Sequence, residues 1–247
     1  MTLEQPQHIA ELNQQLEAMS PEEGLRFFAE NYPGKVVFST SFSWEDQAIT
    51  HLIAAGKVPV SLFTLDTGRL FKETYSTWEA TMDTYPELRI KTYTPDYGLL
   101  QDYLESNGPN AFYKSTDLRK SCCNIRKVEP LRRALAGQAV WVTGLRAEHS
   151  PNRQGLPMVE WDEVNGVIKY HPLLHWTLDE LKEFVNKNHI PYNSLHDKGF
   201  VSIGCLPCTR AIRPGEDFRA GRWWWEDASK KECGLHVHAE PFEKQAQ

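Results

Sequence analysis

Residues 35–56 read KVVFSTSFSWEDQAITHLIAAG, and two periodicities meet in them. Val36, Val37 and Phe38 form a short β-branched and aromatic run, the composition of a strand. The polar turn Ser39-Thr40-Ser41-Phe42-Ser43 follows. From about Trp44 to Ala55 the pattern is that of a helix. A strand that passes through a polar turn into a helix is the first half of a βαβ unit. The scheme repeats at once: VPVSLFTLDTG (58–68) is an apolar strand ending in an Asp-Thr-Gly turn, with a helix expected from about Leu70.

Working outward, RIKTYTP (89–95) reads as a third strand, Asp117 to Leu135 as a basic helix, and QAVWVTGLR (138–146) as a fourth strand. MVEWDEV and VIKYHPL, separated by Asn165-Gly166, have the alternation and turn of a hairpin. Leu178 to Asn188 reads as a helix. Upstream, the first thirty residues carry helical periodicity in two pieces broken at Ser20-Pro21, where Ser20 suits a cap and Pro21 the first turn. Strands alternating with helices define the fold class as α/β, a mostly parallel sheet flanked by helices. From Cys208 onward the periodicity fades, so a loose, mobile C-terminal tail is expected. In such sheets ligands bind beyond the carboxyl ends of the strands. STSFSWED, LDTG and TGLRAEHS all fall there and are expected to meet in space.

At 247 residues with 40% apolar content, the chain has room for one large α/β domain or two small ones. No apolar run approaches a membrane span, and the N-terminus lacks the apolar segment of a secretory signal. A cytoplasmic protein with reduced thiols is expected. The net charge of −6 argues against general nucleic-acid binding, yet seven basic residues lie between Lys114 and Arg133. Arg210, Arg213, Arg219 and Arg222 follow later. Local basic clusters on an acidic chain suit a small anion.

Each strand-end turn has chemistry to offer. The hydroxyls and backbone N–H groups of Ser39, Thr40 and Ser41 stand before a helix N-terminus, where orphan donors and the helix dipole favour an anion. No Walker pattern is present, and a plain capped helix start explains the same residues. Asp66 suits a ribose hydroxyl or a base, and Gly68 permits close backbone approach; a simple β–α turn accounts for both equally. Arg146 and Arg153, with Ser150 between them, suit a phosphate or sulfate.

The five cysteines fall as Cys122-Cys123, Cys205-x-x-Cys208 and Cys233 alone. In a reducing compartment the two tight pairs suggest a metal site. Four-cysteine zinc is the simplest reading. Two adjacent thiolates on one zinc must close a small, strained ring, whereas separate corners of a 4Fe–4S cubane take one each, which favours iron–sulfur. A vicinal disulfide is the third alternative. Cys233, in KKECGLH (230–236), has Lys230, Lys231 and His236 nearby to stabilise a thiolate, in a polar setting that leaves the sulfur reachable. It reads as a nucleophile or as an inert surface thiol.

Taken together, STSFSWED, LDTG, the loop from Gly144 to Arg153 and KKECGLH resemble the assimilatory sulfonucleotide reductases, in order and spacing, from about Val36 to His236. SCCNIRKVEPL and GCLPCTR resemble the branch that reduces adenylyl sulfate and carries a 4Fe–4S cluster. The resemblance implies an adenine-nucleotide α-hydrolase-like fold, with the reductase domain over 1–208 and a flexible segment over 209–247. It implies that Cys122, Cys123, Cys205 and Cys208 hold one cluster per subunit, with Lys127 between cluster and substrate. Ser39, Thr40, Ser41, Asp66 and Gly68 correspond to its nucleotide loops, Arg146, Arg219 and Arg222 to the arginines that grip phosphate and sulfate, and His236 joins the substrate set. Cys233 is then the catalytic nucleophile, adenylyl sulfate and AMP the ligands and thioredoxin the electron donor. A homo-oligomer, dimer or tetramer, is implied, with no nucleic acid or membrane partner. The rival readings are reduction of 3′-phosphoadenylyl sulfate and, in another class, a metal-binding redox sensor without turnover.

Overall fold

A computed structural model describes residues 4–149 and 155–226. Two helices lead, α1 (Glu4–Leu16) and α2 (Pro21–Asn31). Ser20 and Glu23 form a reciprocal capping box at the start of α2, so the expected break at Ser20-Pro21 is a satisfied helix start. The alternating units follow as β1 (Val36–Thr40), α3 (Trp44–Ala55), β2 (Ser61–Leu65), α4 (Lys72–Thr84), β3 (Ile90–Tyr93) and α5 (Tyr97–Asn107). The basic segment forms α6 (Thr116–Cys123), a π-helical stretch over Asn124–Val128, and α7 (Glu129–Leu135). Then come β4 (Val140–Val142), β5 (Val159–Asp162), β6 (Val167–Tyr170) and α8 (Leu178–Lys187). No helix among the described residues is long and apolar enough to cross a membrane.

The six strands lie in the order β3-β2-β1-β4-β6-β5. All neighbours are parallel except β5 and β6, which form the expected hairpin. Both faces of the sheet are covered, which is why β1 is apolar at consecutive positions rather than alternating ones. Val36 and Phe38 pack with Leu25, Phe28 and Ile49 on one face, while Val37 packs with Phe63, Leu131 and Trp141 on the other. The chain leaves β1 toward β2 and β3 on one side and returns to the other side as β4. The crevice between the carboxyl ends of β1 and β4 is therefore the switch point where such sheets bind ligands.

Residues 209–226, expected to belong to a loose tail, pack onto the body. Thr209 bridges to Arg222, Arg210 N–H donates to the Gly221 carbonyl at 2.9 Å, and Trp223 N–H donates to the Cys208 carbonyl at 3.2 Å. Trp223 is 1% exposed. The segment has no helical or strand period because backbone bonds and stacked cations hold it: Arg119 and Arg222 lie 4.6 and 4.7 Å from the Trp223 ring centroid.

Candidate active site

An open cleft of ≈ 250 Å³ occupies the switch point. Its floor comes from the turns after β1 and β4, its wall from Leu65 and Thr67 after β2, and its far rim from Ser202, Gly204, Arg219 and Arg222. Three strand-end turns thus converge as the sequence suggests, joined by a rim from the C-terminal half.

The serine-rich turn lines the cleft, but much of its polar capacity is engaged within the fold. Ser39 Oγ accepts from Trp141 Nε1 at 2.8 Å, and Thr40 Oγ1 accepts from Phe42 N–H at 3.1 Å. Ser41 donates through both N–H and Oγ to Asp46 Oδ2, each at 2.6 Å. Ser43 caps α3 by accepting from Asp46 N–H. A carboxylate of the chain itself thus takes the place before the helix N-terminus that an anion would otherwise fill. Gly144 makes room for it, because a Cβ there would strike the Asp46 carboxylate.

The other site residues of the sequence reading divide. Lys127, Arg219 and Arg222 line the cleft. Arg222 is 7% exposed and, among the described residues, has no carboxylate partner; its Nη1 approaches Ser202 Oγ at 3.4 Å, and its buried Nε has no hydrogen-bond partner among them. Burying an uncompensated cation is expensive unless something anionic arrives. Arg146 is placed elsewhere. Its side chain, 1% exposed, donates to Glu45 Oε1 at 2.8 Å, Glu148 Oε2 at 2.7 Å and the Trp176 carbonyl at 3.1 Å. It does not line the cleft; two carboxylates already neutralise it. Asp66 and Gly68 also stand off the lining: Asp66 Oδ1 accepts from Gly68 N–H and Tyr75 Oη, both at 2.8 Å, and so shapes the turn that presents Thr67. Gly68, at φ 68°, holds the left-handed conformation the turn requires. Cys233, His236, Ser150 and Arg153 lie outside the described residues.

A second, smaller cavity is lined by Cys122, Cys123, Cys205 and Cys208 with Arg69, Phe112, Arg119, Arg126 and Lys127. Two pairs some eighty residues apart therefore share one space. None of these four is in a disulfide. Burial pushes the Cys122 thiol up and the Cys208 thiol up to about 12, with Cys205 and Cys123 adding to the latter. Among the described residues no three His, Cys, Asp or Glu side chains converge on a single-ion site. The residues present suit a thiolate-bound anionic group, since four cationic side chains line the same space and the buried Arg126 Nε has no hydrogen-bond partner among the described residues. Lys127 lines both cavities, and Thr67 links them: it lines the cleft while its Oγ1 accepts from Cys205 Sγ at 3.3 Å.

The phosphoadenosine phosphosulfate reductase domain model matches residues 35–211, which contain every strand of this sheet. The chain belongs to that family. A protein of the family type named adenosine 5′-phosphosulfate reductase in Allochromatium vinosum is 50% identical over 81% of this chain and 78% of its own. One of the same name in Sinorhizobium fredii (strain NBRC 101917 / NGR234) is 46% identical over 92% and 89%. Among solved structures, the phosphoadenylyl-sulfate reductase of Candida auris, a phosphate complex, superposes with a TM-score of 0.72 at 30% identity, covering 83% of this chain and 97% of that one. The FMN adenylyltransferase of Candida glabrata shares the fold alone, with a TM-score of 0.53 at 17% identity over 95% and 77%.

Within this reductase-family fold, Asp46, Thr67, Gly204 and Arg126 are site residues that the sequence reading did not single out. Asp46 has a measurable signature. Burial, partly offset by Ser41, pushes its carboxyl up to about 6 from an ordinary 3.8. A raised folded-state value means that stability is highest below the ordinary value and falls as pH rises through 6, by about 3 kcal/mol. Asp46→Asn retains an acceptor for Ser41 and removes the charge. It is expected to be more stable than the parent by about 1–3 kcal/mol at pH 7.5, and equal to it near pH 4. Urea unfolding across that range, read as variant minus parent, checks this. The difference cancels His196, which burial pushes down to about 4 and which acts in the opposite direction.

Proposed function

We propose that this chain reduces adenylyl sulfate to sulfite and AMP with electrons from thioredoxin, in sulfate assimilation, through an S-sulfonated Cys233. The observation that carries the reading is the cationic join between the two cavities. Arg222, buried without an acid partner among the described residues, and Lys127, shared by cleft and cysteine cavity, stand where an anion at the sheet's switch point would sit. The relatives named adenosine 5′-phosphosulfate reductase support adenylyl sulfate as that anion.

In this mechanism the cleft binds the nucleotide while Arg222, Arg219 and Lys127 offset the charge of phosphate and sulfate. The thiolate of Cys233 attacks the sulfur of adenylyl sulfate. An S–S bond forms, the S–O bond to phosphate breaks, and AMP leaves with that electron pair. A thioredoxin thiolate then attacks Cys233 Sγ and expels sulfite with the bonding pair. Thioredoxin's second thiol resolves the mixed disulfide, so the two electrons that reduce the substrate come from the thioredoxin dithiol, which ends as a disulfide. Cys122, Cys123, Cys205 and Cys208 would hold a 4Fe–4S cluster, which supplies a fixed charge centre next to Lys127 rather than the reducing electrons.

The test is the intact mass of the purified protein after brief exposure to adenylyl sulfate without thioredoxin, with 3′-phosphoadenylyl sulfate in parallel. A gain of one SO3 with the first substrate only, reversed by reduced thioredoxin, is the expected result. A gain with the 3′-phosphorylated substrate instead reassigns the substrate. No gain from protein shown to contain iron and sulfide overturns the covalent route.

A further inference from the structure

Arg119 is an odd residue to bury. It sits in α6, and its side chain is 1% exposed. It is held by Glu226, 107 positions away and itself 5% exposed. The contact is a two-pronged fork: Nε donates to Oε1 at 3.0 Å and Nη2 to Oε2 at 2.8 Å. The guanidinium also stacks on Trp223 and stands against Cys123. Trp223 in turn packs with Cys122, Cys205 and Cys208, and the Glu226 N–H closes a turn on the Trp223 carbonyl at 2.9 Å. The turn 223–226 therefore packs behind the lining of the four-cysteine cavity, against three of its cysteines and Arg119, and is clamped there by one buried ion pair. Breaking such a pair from one side strands the other charge in the interior, so the clamp has no cheap half-open state.

Glu226 is also the described residue nearest in sequence to Cys233. Cys233 follows it by seven residues, so its Cα can stand no farther than about 25 Å from that of Glu226. We propose that the Arg119–Glu226 clamp is the post from which the Cys233-bearing segment hangs, and that it couples this anchorage to the filling of the four-cysteine cavity. Both functions use the same guanidinium and the same tryptophan, so whatever the four thiols hold stabilises the anchored turn. By reciprocity, the anchored turn tightens that group's binding. This inference rests on the proposed function for the role of Cys233 and for an iron–sulfur group at the four cysteines. Glu226 and Arg119 are positioning residues; neither is assigned contact with substrate.

The experiment compares the parent, Glu226→Gln, Arg119→Met and the double variant, each purified anaerobically, with iron and sulfide measured and Tm recorded. Two readouts are taken: brief trypsin cleavage at Lys230 or Lys231 followed by mass, and the rate at which a ferrous chelator removes iron. Glu226→Gln is expected to speed both cleavage and iron loss by roughly tenfold, with the double variant no worse than the poorer single one. Stripping the parent of iron should speed its cleavage by a similar factor, leaving AMP affinity within about twofold. Parent-like cleavage and iron loss in Glu226→Gln overturn the clamp. Faster cleavage with unchanged iron loss overturns the coupling, as does additivity in the double variant. Should Glu226→Gln fail to fold, the iron-dependent cleavage of the parent decides the coupling by itself. A parent chain containing no iron overturns the coupling and the cofactor reading together, whereas an iron-loaded parent that becomes S-sulfonated but cleaves equally with and without iron sinks the inference alone.

Discussion

Replacing Cys233 with serine is expected to abolish turnover, by on the order of 10⁴-fold or more, while leaving AMP binding within about twofold. The proposed route has a single sulfur that both receives the sulfonate and is later attacked by thioredoxin. A serine hydroxyl is a far poorer nucleophile near neutral pH and, if sulfated, would offer thioredoxin an oxygen rather than a sulfur to attack. The four remaining cysteines offer no substitute. Cys122, Cys205 and Cys208 are buried, and all four line their own cavity. The check is steady-state sulfite release together with AMP titration of the same sample. Turnover within tenfold of the parent would remove Cys233 from the mechanism, and lost AMP binding would make its role structural.

Arg222→Ala carries the next largest effect. A charge-assisted hydrogen bond lost from a buried site is worth about 1.5–3 kcal/mol, so affinity for adenylyl sulfate should fall by roughly 10- to 150-fold. The fold should tolerate the change with a modest loss of stability from the missing stack on Trp223, because Arg222 has no carboxylate to strand among the described residues. Gly204→Ala reaches the same residue without removing it. A Cβ at Gly204 would lie 2.7 Å from the Arg222 guanidinium carbon and 3.0 Å from Nη1, forcing the head group out of its seat. Its affinity should fall by a smaller factor in the same direction. Calorimetric titration of both variants with adenylyl sulfate separates the outcomes. Unchanged affinity in Arg222→Ala would place the anion elsewhere in the cleft.

The sheet was legible because its residues repeat with two clear periods. Val36–Phe38, Leu62–Phe63 and Val140–Val142 are buried in consecutive positions, as covered parallel strands must be, and the hairpin shows its turn at Asn165-Gly166. Helix α5 left no such trace, because Tyr103 is its one buried residue and no apolar stripe forms. The site was legible at the level of turns rather than atoms. Ser39, Thr40 and Ser41 do line the cleft, yet nothing local shows that Asp46 has claimed both donors of Ser41. Arg146 looks like an anion ligand in a strand-end loop until Glu45, 101 positions earlier, is brought against it. The packing of 209–226 was hidden for the same reason: its partners are single residues scattered along the chain, Arg119 and Cys208 among them.

The π-helical stretch over Asn124–Val128 has a bearing on how this chain came about. There the Glu129 N–H reaches back five residues, to the Asn124 carbonyl, instead of four, the mark of one residue inserted into an α-helix. Upstream of it lie the cysteine pair and Arg119; downstream, Leu131 and Leu135 are seated against the sheet. Deleting one residue from the stretch would let an ordinary helix heal and keep the leucines in place. It would also turn the cysteines by about 100° about the axis, away from Cys205 and Cys208. A single deletion here would thus dismantle the thiol cavity while leaving the sheet unchanged. Ancestral reconstruction along the family tree can look for that event at this position.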